Sequence, residues 1–289
     1  MKILSVANNN LKGISVILGF FDGIHKGHRE VISSALKTGK RTALITFKES
    51  PAVYFGQKAE YIYPREYSYK LIEALGVDYL IEADFREIVN IKAEDYLKYL
   101  IDTYTPVSVS TGFNYTFGYE REGTPDMLKD GQQKYGYDYY ICQPCLENGE
   151  VISSTNIKNY LKNGDILSAN SMLGEPYTLS GRVIYGEQTG RKLGFPTANI
   201  KYPENIVKIP HGVYKAEVSG MPAVMNFGIK PTMSGGAEGV EVHIPNFQGD
   251  LYGKDINIRV FEKIRDERKF ESIDELKIQI GKDTEECLK

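Results

Sequence analysis

The hydrophobic pattern near the N-terminus predicts a strand that leads through a turn into a helix. Residues 14–18 (ISVIL) are a continuous apolar run, as in strands buried on both faces of a sheet. Asp22-Gly23 interrupts the run, and apolar residues then recur at helical spacing, at Val31, Ile32, Ala35 and Leu36. Gly39 is a suitable helix stop.

The same alternation continues to residue 141. Apolar runs predict four further strands, at residues 41–47, 77–81, 107–111 and 137–141. Helical periodicity marks residues 70–75 and 94–101 between them. Strands that alternate with helices indicate an α/β fold with an open, mainly parallel sheet and right-handed crossovers.

Beyond residue 177 the pattern changes to short strands in which apolar and polar residues alternate. The alternation is clearest in residues 214–218 and 255–260. Such strands, separated by Gly-rich turns, predict a small antiparallel β-barrel. A capping box at residues 272–275 (SIDE) begins a closing helix. We therefore expect two domains, residues 1–177 and 178–289.

The composition favours small charged substrates. The 289 residues contain 35 Lys plus Arg and 38 Asp plus Glu without a long basic run, so neither nucleic acid nor an anionic membrane is an expected partner. Three cysteines, no apolar run near about 18 residues and no signal-peptide pattern predict a cytoplasmic protein. Cys142 and Cys145 form a C-x-x-C that could bind zinc or exchange disulfides, but without a second pair a turn is the better interpretation. We expect a monomer or a weak oligomer.

His25 and His28 lie at the junction between the first strand and its helix. If the helix starts near Ile24, both are on the same side of its first turn. Gly27 lets a ligand approach free backbone N–H groups at the positive end of the helix dipole, which favours an anion. This H-x-G-H arrangement is not a Walker A loop, and it predicts a phosphate site built on imidazoles. The alternative is a pair of polar surface histidines.

Two more polar motifs follow predicted strands, at the sheet edge where such folds bind ligands. Residues 112–118 (GFNYTFG) follow the fourth strand and residues 152–158 (ISSTNIK) the fifth. The hydroxyls of the second motif can cap a short helix and hold phosphate oxygens, while Lys158 neutralises charge. Asn114 can donate to and accept from a flavin or nucleobase edge. We expect both motifs to join the histidine pair in one site, although the serines alone would be an ordinary helix cap.

Residues 190–199 (GRKLGFPTAN) are the most distinctive segment of the second half. Thr197 and Asn199 are two apart, so they point the same way if this piece is extended. A hydroxyl and an amide oxygen side by side suit a hard cation such as Mg²⁺ together with a nucleotide phosphate. Glu241 alternates with apolar neighbours and can reach the mouth of a barrel as a carboxylate. A solvated strand glutamate is the alternative.

These motifs together resemble the bacterial bifunctional riboflavin kinase/FMN adenylyltransferases, or FAD synthetases, over nearly the whole chain. The matching segments are residues 19–28 (GFFDGIHKGH), 112–118, 152–158, 190–199, 226–232 (NFGIKPT), 241–243 (EVH), 251–253 (LYG) and 264–270 (IRDERKF). The resemblance implies a Rossmann-like nucleotidylyltransferase domain, followed by a small antiparallel β-barrel riboflavin kinase domain with a C-terminal helix. It implies that the first domain adenylylates FMN with ATP, and that the second phosphorylates riboflavin with ATP and Mg²⁺.

The resemblance also implies residue roles. The catalytic residues would be Glu241, as the general base of the kinase, with His28 and His25 acting in adenylyl transfer. The implied ATP-binding residues are Gly19, Phe21, Asp22, Gly27, Ser154, Thr155, Lys158, Gly190 and Thr197. The implied flavin-binding residues are Asn114, Phe117 and Arg265, and the implied metal ligands are Thr197 and Asn199.

The sequence departs from the family pattern at two places in the first domain. The family shows Phe-x-Pro-His-Pro after the second strand, whereas this chain has Phe47-Lys-Glu-Ser-Pro51. Lys158 stands where arginine is usual, which keeps the charge but loses the bidentate fork. Two alternatives therefore remain: a riboflavin kinase with a slow or lost adenylyltransferase, and a flavin-nucleotide-binding regulator. Glu241 argues against the regulator, because a pure binder needs no base.

Overall fold

The computed structural model describes residues 1–6, 11–186, 190, 193–229 and 238–288. The chain forms two compact units. The first comprises Met1–Glu60 and Arg65–Ser153, and the second comprises Tyr61–Pro64 and Ser154–Lys289.

The first unit is built on a six-stranded parallel sheet, as the apolar pattern predicts. Its strands are β1 (Lys2–Ser5), β2 (Ser15–Leu18), β3 (Thr42–Phe47), β4 (Tyr79–Ala83), β5 (Ser108–Gly112) and β6 (Asp138–Cys142). Their spatial order is β1-β4-β3-β2-β5-β6. The five predicted strands are confirmed as β2 to β6. The sequence pattern does not predict β1, because its four residues are too short an apolar signal.

A hydrophobic cluster lies on each face of this sheet, and four helices contribute buried residues to the two clusters. The helices of this unit are α1 (Lys26–Leu36), α2 (Pro51–Tyr54), α3 (Arg65–Ala74), α4 (Phe85–Ile88), α5 (Ala93–Tyr104) and α6 (Pro125–Tyr135), with a 3₁₀ turn at Tyr119–Arg121. Val16 and Leu18 of β2 belong to the cluster that contains α5 and α6, whereas Ile17 belongs to the one that contains α1 and α3. Alternate residues of a strand point to opposite faces, so β2 is buried on both.

A short hairpin of β7 (Leu146–Glu147) and β8 (Glu150–Val151) follows β6. Residues 152–158 therefore follow this hairpin and not the fifth predicted strand directly. Burial raises the pKa of the Cys142 and Cys145 thiols, which keeps both protonated at neutral pH. Protonated thiols fit the interpretation of the C-x-x-C as a turn.

The second unit contains a closed antiparallel barrel, as predicted. Its strands are β9 (Tyr177–Ile184), β10 (Thr197–Lys201), β11 (Gly212–Val218), β12 (Met221–Ile229), β13 (Glu238–His243) and β14 (Asp255–Arg265). They close in the order β10-β13-β12-β11-β14-β9. The helices of this unit are α7 (Ser154–Asn163), α8 (Ile166–Leu173) and α9 (Ile273–Cys287). Ser272 caps α9 by accepting from the backbone N–H of Glu275 (3.1 Å), which confirms the predicted helix start.

Helix α8 belongs to the barrel unit, although the sequence-based boundary lies after residue 177. Asn170 donates to the Val260 carbonyl (2.9 Å) and accepts from the backbone N–H of Tyr177 (2.6 Å). The buried side chains of α8 are Ile166, Ala169, Met172 and Leu173. The second compact unit thus contains all residues from Ser154 onward together with Tyr61–Pro64, and the boundary at 177 stays a prediction about fragments that fold alone.

Candidate active sites

The turn between β2 and α1 has an unusual backbone conformation. Phe21 (φ 57°), Gly23 (φ 90°) and Ile24 (φ 45°) all lie in the left-handed region, which costs about 1–3 kcal/mol for a non-glycine residue. Ile24 is fully buried and Phe21 is 4% exposed, so core packing holds both in place. The strand order reverses beside β2, so this turn lies at the switch point where open α/β sheets bind ligands.

His25 and His28 meet at the start of α1, as their spacing predicts. Nδ1 of His25 accepts from the backbone N–H of His28 (3.2 Å), so His25 caps the helix and its proton lies on Nε2. The two rings stack with centroids 3.6 Å apart. Burial lowers the pKa of His25 to about 4, and burial with a contribution from His25 lowers the pKa of His28 well below 6.5. Both imidazoles are therefore neutral at pH 7, and His25 offers an N–H donor.

Two glycines make room for the rings of this turn. A Cβ at Gly19 would lie 2.8 Å from the ring of Phe21, which itself lies 5.1 Å from the ring of His28. A Cβ at Gly27 would lie 3.3 Å from the ring of His25. The turn therefore gathers six of the predicted site residues: Gly19, Phe21, Asp22, His25, Gly27 and His28.

The loop after β5 gives its two predicted flavin ligands different environments. Asn114 is exposed. Phe117 is 6% exposed and packs against Tyr96 (5.5 Å between centroids) and Tyr115 (5.8 Å). Phe117 therefore packs in the core, and the flavin contact predicted for it stays a prediction. The same holds for the flavin contact predicted for Asn114.

An aromatic group at the carboxyl ends of β3 and β4 is not apparent from the sequence. Phe85 packs edge-on against Phe47 (5.3 Å), Tyr54 (5.5 Å) and Phe55 (6.0 Å). Tyr54 is 48% and Phe55 64% exposed, so the group presents rings to solvent. Exposed rings fit a flat aromatic ligand. The sequence does show the adjacent aromatic pair of Tyr54 and Phe55, which could have indicated this group. Phe85 joins the pair only because β3 and β4 are neighbours in the sheet.

Three predicted ATP ligands lie in the first two turns of α7, which belongs to the second unit: Ser154, Thr155 and Lys158. Ile157 and Leu161 are buried and fix the orientation of the helix. Thr155 is consequently exposed and Lys158 half-buried. Their predicted approach to the histidine pair stays a prediction.

Polar residues form one row across three adjacent strands of the barrel. Asn199 of β10 pairs with Glu241 of β13, which pairs on its other side with Asn226 of β12. Directly opposed residues share a face of the sheet, with Cβ atoms about 4.5–5.5 Å apart. Thr197 lies two residues from Asn199 on the same strand and shares that face. The barrel therefore places Thr197 and Asn199 on one face, as their spacing predicts, and its strand register brings Glu241 beside them.

Two described residues before β10, Gly190 and Pro196, have close contacts. A Cβ at Gly190 would collide with the carbonyl oxygen of Phe195 and lie 3.3 Å from the hydroxyl of Thr197. Nδ1 of His243 donates to the carbonyl of Pro196 (2.9 Å), which fixes the start of the strand. The motif residues 191, 192 and 230–232 lie outside the described residues.

A cavity of about 460 Å³ borders this strand. Its lining includes the polar residues Thr197 and Asn199 and the aromatic residues Phe247 and Tyr252. Glu241 lies outside the lining but is in register with Asn199. The cavity can therefore take a ligand with an apolar part and a polar end at the β10 residues.

Arg265 has a structural partner. Its guanidinium donates to Asp283 of α9 through Nε (3.0 Å) and Nη2 (2.7 Å), and Asp283 is 3% exposed. Breaking such a buried pair leaves an uncompensated charge, so Arg265 holds α9 on the barrel. The flavin contact predicted for Arg265 stays a prediction.

Two family models match the chain, one on each half. A model described as FAD synthetase matches residues 7–156, and one described as riboflavin kinase matches residues 173–289. The bifunctional riboflavin kinase/FMN adenylyltransferase of Escherichia coli (strain K12) is 34% identical over 286 residues, which cover 94% of this chain and 91% of the relative. The protein of the same name from Bacillus subtilis (strain 168) is 36% identical, covering 94% and 90%. The chain belongs to the bifunctional riboflavin kinase/FMN adenylyltransferase family.

A solved structure extends the family likeness to the whole fold. A crystal structure titled macrolide-efflux protein, from Streptococcus pneumoniae, has a TM-score of 0.88 and 28% identity, and covers 99% of this chain and 98% of that one. Among the residues that the structure of this chain describes, no helix is both long and apolar enough to cross a membrane. Residues 157–172, which neither family model matches, form most of α7 and α8.

Proposed function

We propose that the protein makes FMN and then FAD in two ATP-dependent steps, one at each candidate site. The barrel transfers the γ-phosphoryl group of ATP to the riboflavin 5′-hydroxyl and releases ADP. The first unit transfers AMP from ATP to the FMN phosphate and releases pyrophosphate. The observation that carries the proposal is the row of Asn199 and Glu241 beside Thr197, in a chain whose halves match the two enzyme families. A cytoplasmic enzyme that is monomeric or weakly oligomeric remains the prediction.

Glu241 is suited to act as the general base of the kinase. The riboflavin hydroxyl is protonated at pH 7, so its attack benefits from a carboxylate that takes the proton. Glu241 lies in the middle of a strand that is paired on both sides, by β10 and by β12. The proton moves to Glu241 while the hydroxyl oxygen bonds to the γ-phosphorus and the bond to ADP breaks.

The oxygens of Thr197 and Asn199 fit a magnesium ion. Mg²⁺ prefers hard oxygen ligands and is commonly shared between a few protein oxygens and nucleotide phosphates. When bound there, it would neutralise charge on the ATP phosphates. The adjoining cavity offers room for the rest of the nucleotide, against Phe247 and Tyr252.

Adenylyl transfer needs positioning more than a base. The second pKa of a phosphate monoester is about 6, so FMN is already an anionic nucleophile at pH 7. His25 can donate from Nε2 to a phosphate oxygen of ATP, and the N-terminus of α1 adds backbone donors. The exposed aromatic rings around Phe85 support binding of the isoalloxazine. Ser154, Thr155 and Lys158 would supply further contacts to ATP.

A riboflavin kinase with a slow adenylyltransferase is the second candidate, and the segment after β3 favours it. Glu49-Ser50 stands where the family has Pro-His. Ser50 Oγ accepts from the backbone N–H of Ala52 (3.3 Å), so it caps α2. A serine hydroxyl is shorter than an imidazole and cannot carry a positive charge, so it is a weaker phosphate ligand than the family's histidine.

Incubation of the purified protein with riboflavin, ATP and Mg²⁺, followed by chromatographic separation of the flavins, tests the proposal. The bifunctional enzyme should convert riboflavin to FMN and then to FAD. Accumulation of FMN without FAD would select the second candidate. Absence of FMN would contradict both.

A further inference from the structure

Asn226 lies in the polar row beside Glu241, and the sequence motif gives it no role. It opposes Glu241 on the side away from Asn199. Its Oδ1 is buried and has no hydrogen-bond partner among the described residues. A buried amide oxygen without a partner is costly, so a residue that keeps one calls for a functional explanation.

Glu241 is the polar neighbour of Asn226 within the row. On its other side Asn226 pairs with Val213 of β11, which packs in an apolar cluster with Val224 and Cys287. The Cβ atoms of opposed residues lie about 5 Å apart, which is within reach of an asparagine and a glutamate side chain. A half-turn of the amide exchanges oxygen and NH₂ without changing its shape. Asn226 can therefore present a donor or an acceptor to the carboxyl group.

Strand β12 is paired on both sides at Asn226, and its flanking residues are buried. Met225 and Phe227 on either side are fully buried and pair with Val242 and Val240 of β13. A glutamate side chain, by contrast, turns about three bonds. A fixed partner on the neighbouring strand would restrict that freedom.

We propose that Asn226 is a positioning residue for the kinase base: its amide hydrogen-bonds the carboxyl group of Glu241 and aims it at the riboflavin 5′-hydroxyl. The inference rests on the proposed kinase function. Before transfer the NH₂ group donates to the carboxylate. After the proton has moved from the hydroxyl to Glu241, the amide oxygen accepts from the new carboxyl O–H. The phosphoryl group moves to the hydroxyl oxygen and ADP leaves, so Asn226 itself is unchanged.

Steady-state kinetics of riboflavin phosphorylation by the full chain test the role of Asn226. Asn226→Ala should lower kcat about 10- to 100-fold, the range for losing a hydrogen bond to a charged group, with both KM values within about twofold. The matched control is Asn257→Ala, an exposed asparagine of β14 that accepts from Ser180 (2.7 Å) and should keep the wild-type kcat. A raised KM for riboflavin or ATP with unchanged kcat would overturn the proposal.

The Glu241→Gln background separates positioning from a merely structural role. Glutamine cannot take the proton, so adding Asn226→Ala should lower the residual rate by less than about twofold. If Asn226→Ala lowers kcat in the Glu241→Gln background by as much as it does in the wild type, the proposal is overturned. If the alanine variant does not fold, Asn226→Asp serves in its place, because aspartate keeps the shape of the asparagine side chain. It lacks the donor and sets a second carboxylate beside Glu241, so wild-type kcat in this variant would also overturn it. Phosphorylation by the wild-type chain in the same assays separates failure of this inference from failure of the kinase function.

Discussion

At the scale of one residue, Nδ1 of His25 accepts a hydrogen bond from the backbone N–H of His28. This hydrogen bond serves both the fold and the chemistry. It caps α1 and leaves the ring proton on Nε2. Burial keeps His25 and the stacked His28 neutral. The imidazole therefore acts as an oriented hydrogen-bond donor to phosphate and not as a cation.

Gly27→Ala should separate activity from stability. The added methyl group would press on the ring of His25, which is stacked on His28 and has little room to move. We expect FAD formation from supplied FMN to fall about tenfold or more, because small displacements of positioning groups are costly. Helix stability should change little, because Gly27 lies in the first turn of α1 and alanine is a better helix former than glycine.

Gly281→Ala is the matched control for this prediction. It lies in α9, and a Cβ there would meet nothing within 4 Å. It should leave both activities unchanged. Unchanged adenylylation in Gly27→Ala would mean that the position of the His25 ring is not critical.

Lys158 tests whether the first turns of α7 bind ATP. Lys158→Ala should lower the rate of FAD formation about 10- to 100-fold through loss of a charge-assisted contact, whereas Lys158→Arg should preserve or improve it. Lys162→Ala, an exposed position of the same helix, is the control. If the Lys158 and Lys162 alanine variants have the same rate and ATP affinity, Lys158 is a surface residue.

The turn between β2 and α1 also predicts a pH dependence at the scale of an element. In the unfolded chain His25 has a pKa of about 6.5, whereas its pKa in the folded protein is about 4. The unfolded state binds more protons between these values, so the free energy of unfolding should fall as pH drops through them, for His25 by on the order of 3 kcal/mol. His25→Asn keeps a capping oxygen but cannot titrate. Calorimetry should show that the unfolding midpoint of His25→Asn changes less than that of the wild type between about pH 7 and about pH 5. An equal change in both proteins would contradict the lowered pKa of His25.

Strands and helices were predictable from the sequence where one hydrophobic period runs through consecutive residues. Contacts between side chains that are distant in the sequence were not predictable. The buried runs of β2 to β6 and the alternation in β11 and β14 are local patterns. Phe117 and Arg265 lie in motifs of the family, but a motif does not reveal which side chain turns to the core or to a helix such as α9. Thr197 and Asn199 were predictable because strand geometry alone puts them on one face. Their alignment with Glu241 and Asn226 depends on strand register, which no local pattern reveals.

Fragments of the chain test its division at the scale of the whole molecule. The second compact unit consists of residues 154–289 and Tyr61–Pro64, and we expect residues 154–289 alone to keep α8 on the barrel and make FMN. Residues 178–289 lack the four buried side chains of α8 and the bonds of Asn170, so this fragment should be less stable by about 3 kcal/mol or more. Denaturant unfolding and FMN synthesis of both fragments measure this. Equal stability would support the sequence-based boundary after residue 177.

The central claim is that two separate sites perform two different chemistries. Glu241→Gln keeps the shape of the side chain but cannot accept a proton, and general-base catalysis is worth about 10²- to 10⁴-fold in rate. His28→Ala removes part of the stacked pair, and loss of one preorganised group at a phosphate costs about 10²- to 10³-fold. The two variants should therefore fail in different reactions.

The most direct measurement follows both half-reactions in both variants, with riboflavin and FMN supplied separately. Glu241→Gln should lose FMN formation and keep adenylylation of added FMN. His28→Ala should keep FMN formation and lose adenylylation. Loss of both reactions in both folded variants, or wild-type riboflavin phosphorylation by Glu241→Gln under conditions where chemistry limits the rate, would contradict the account.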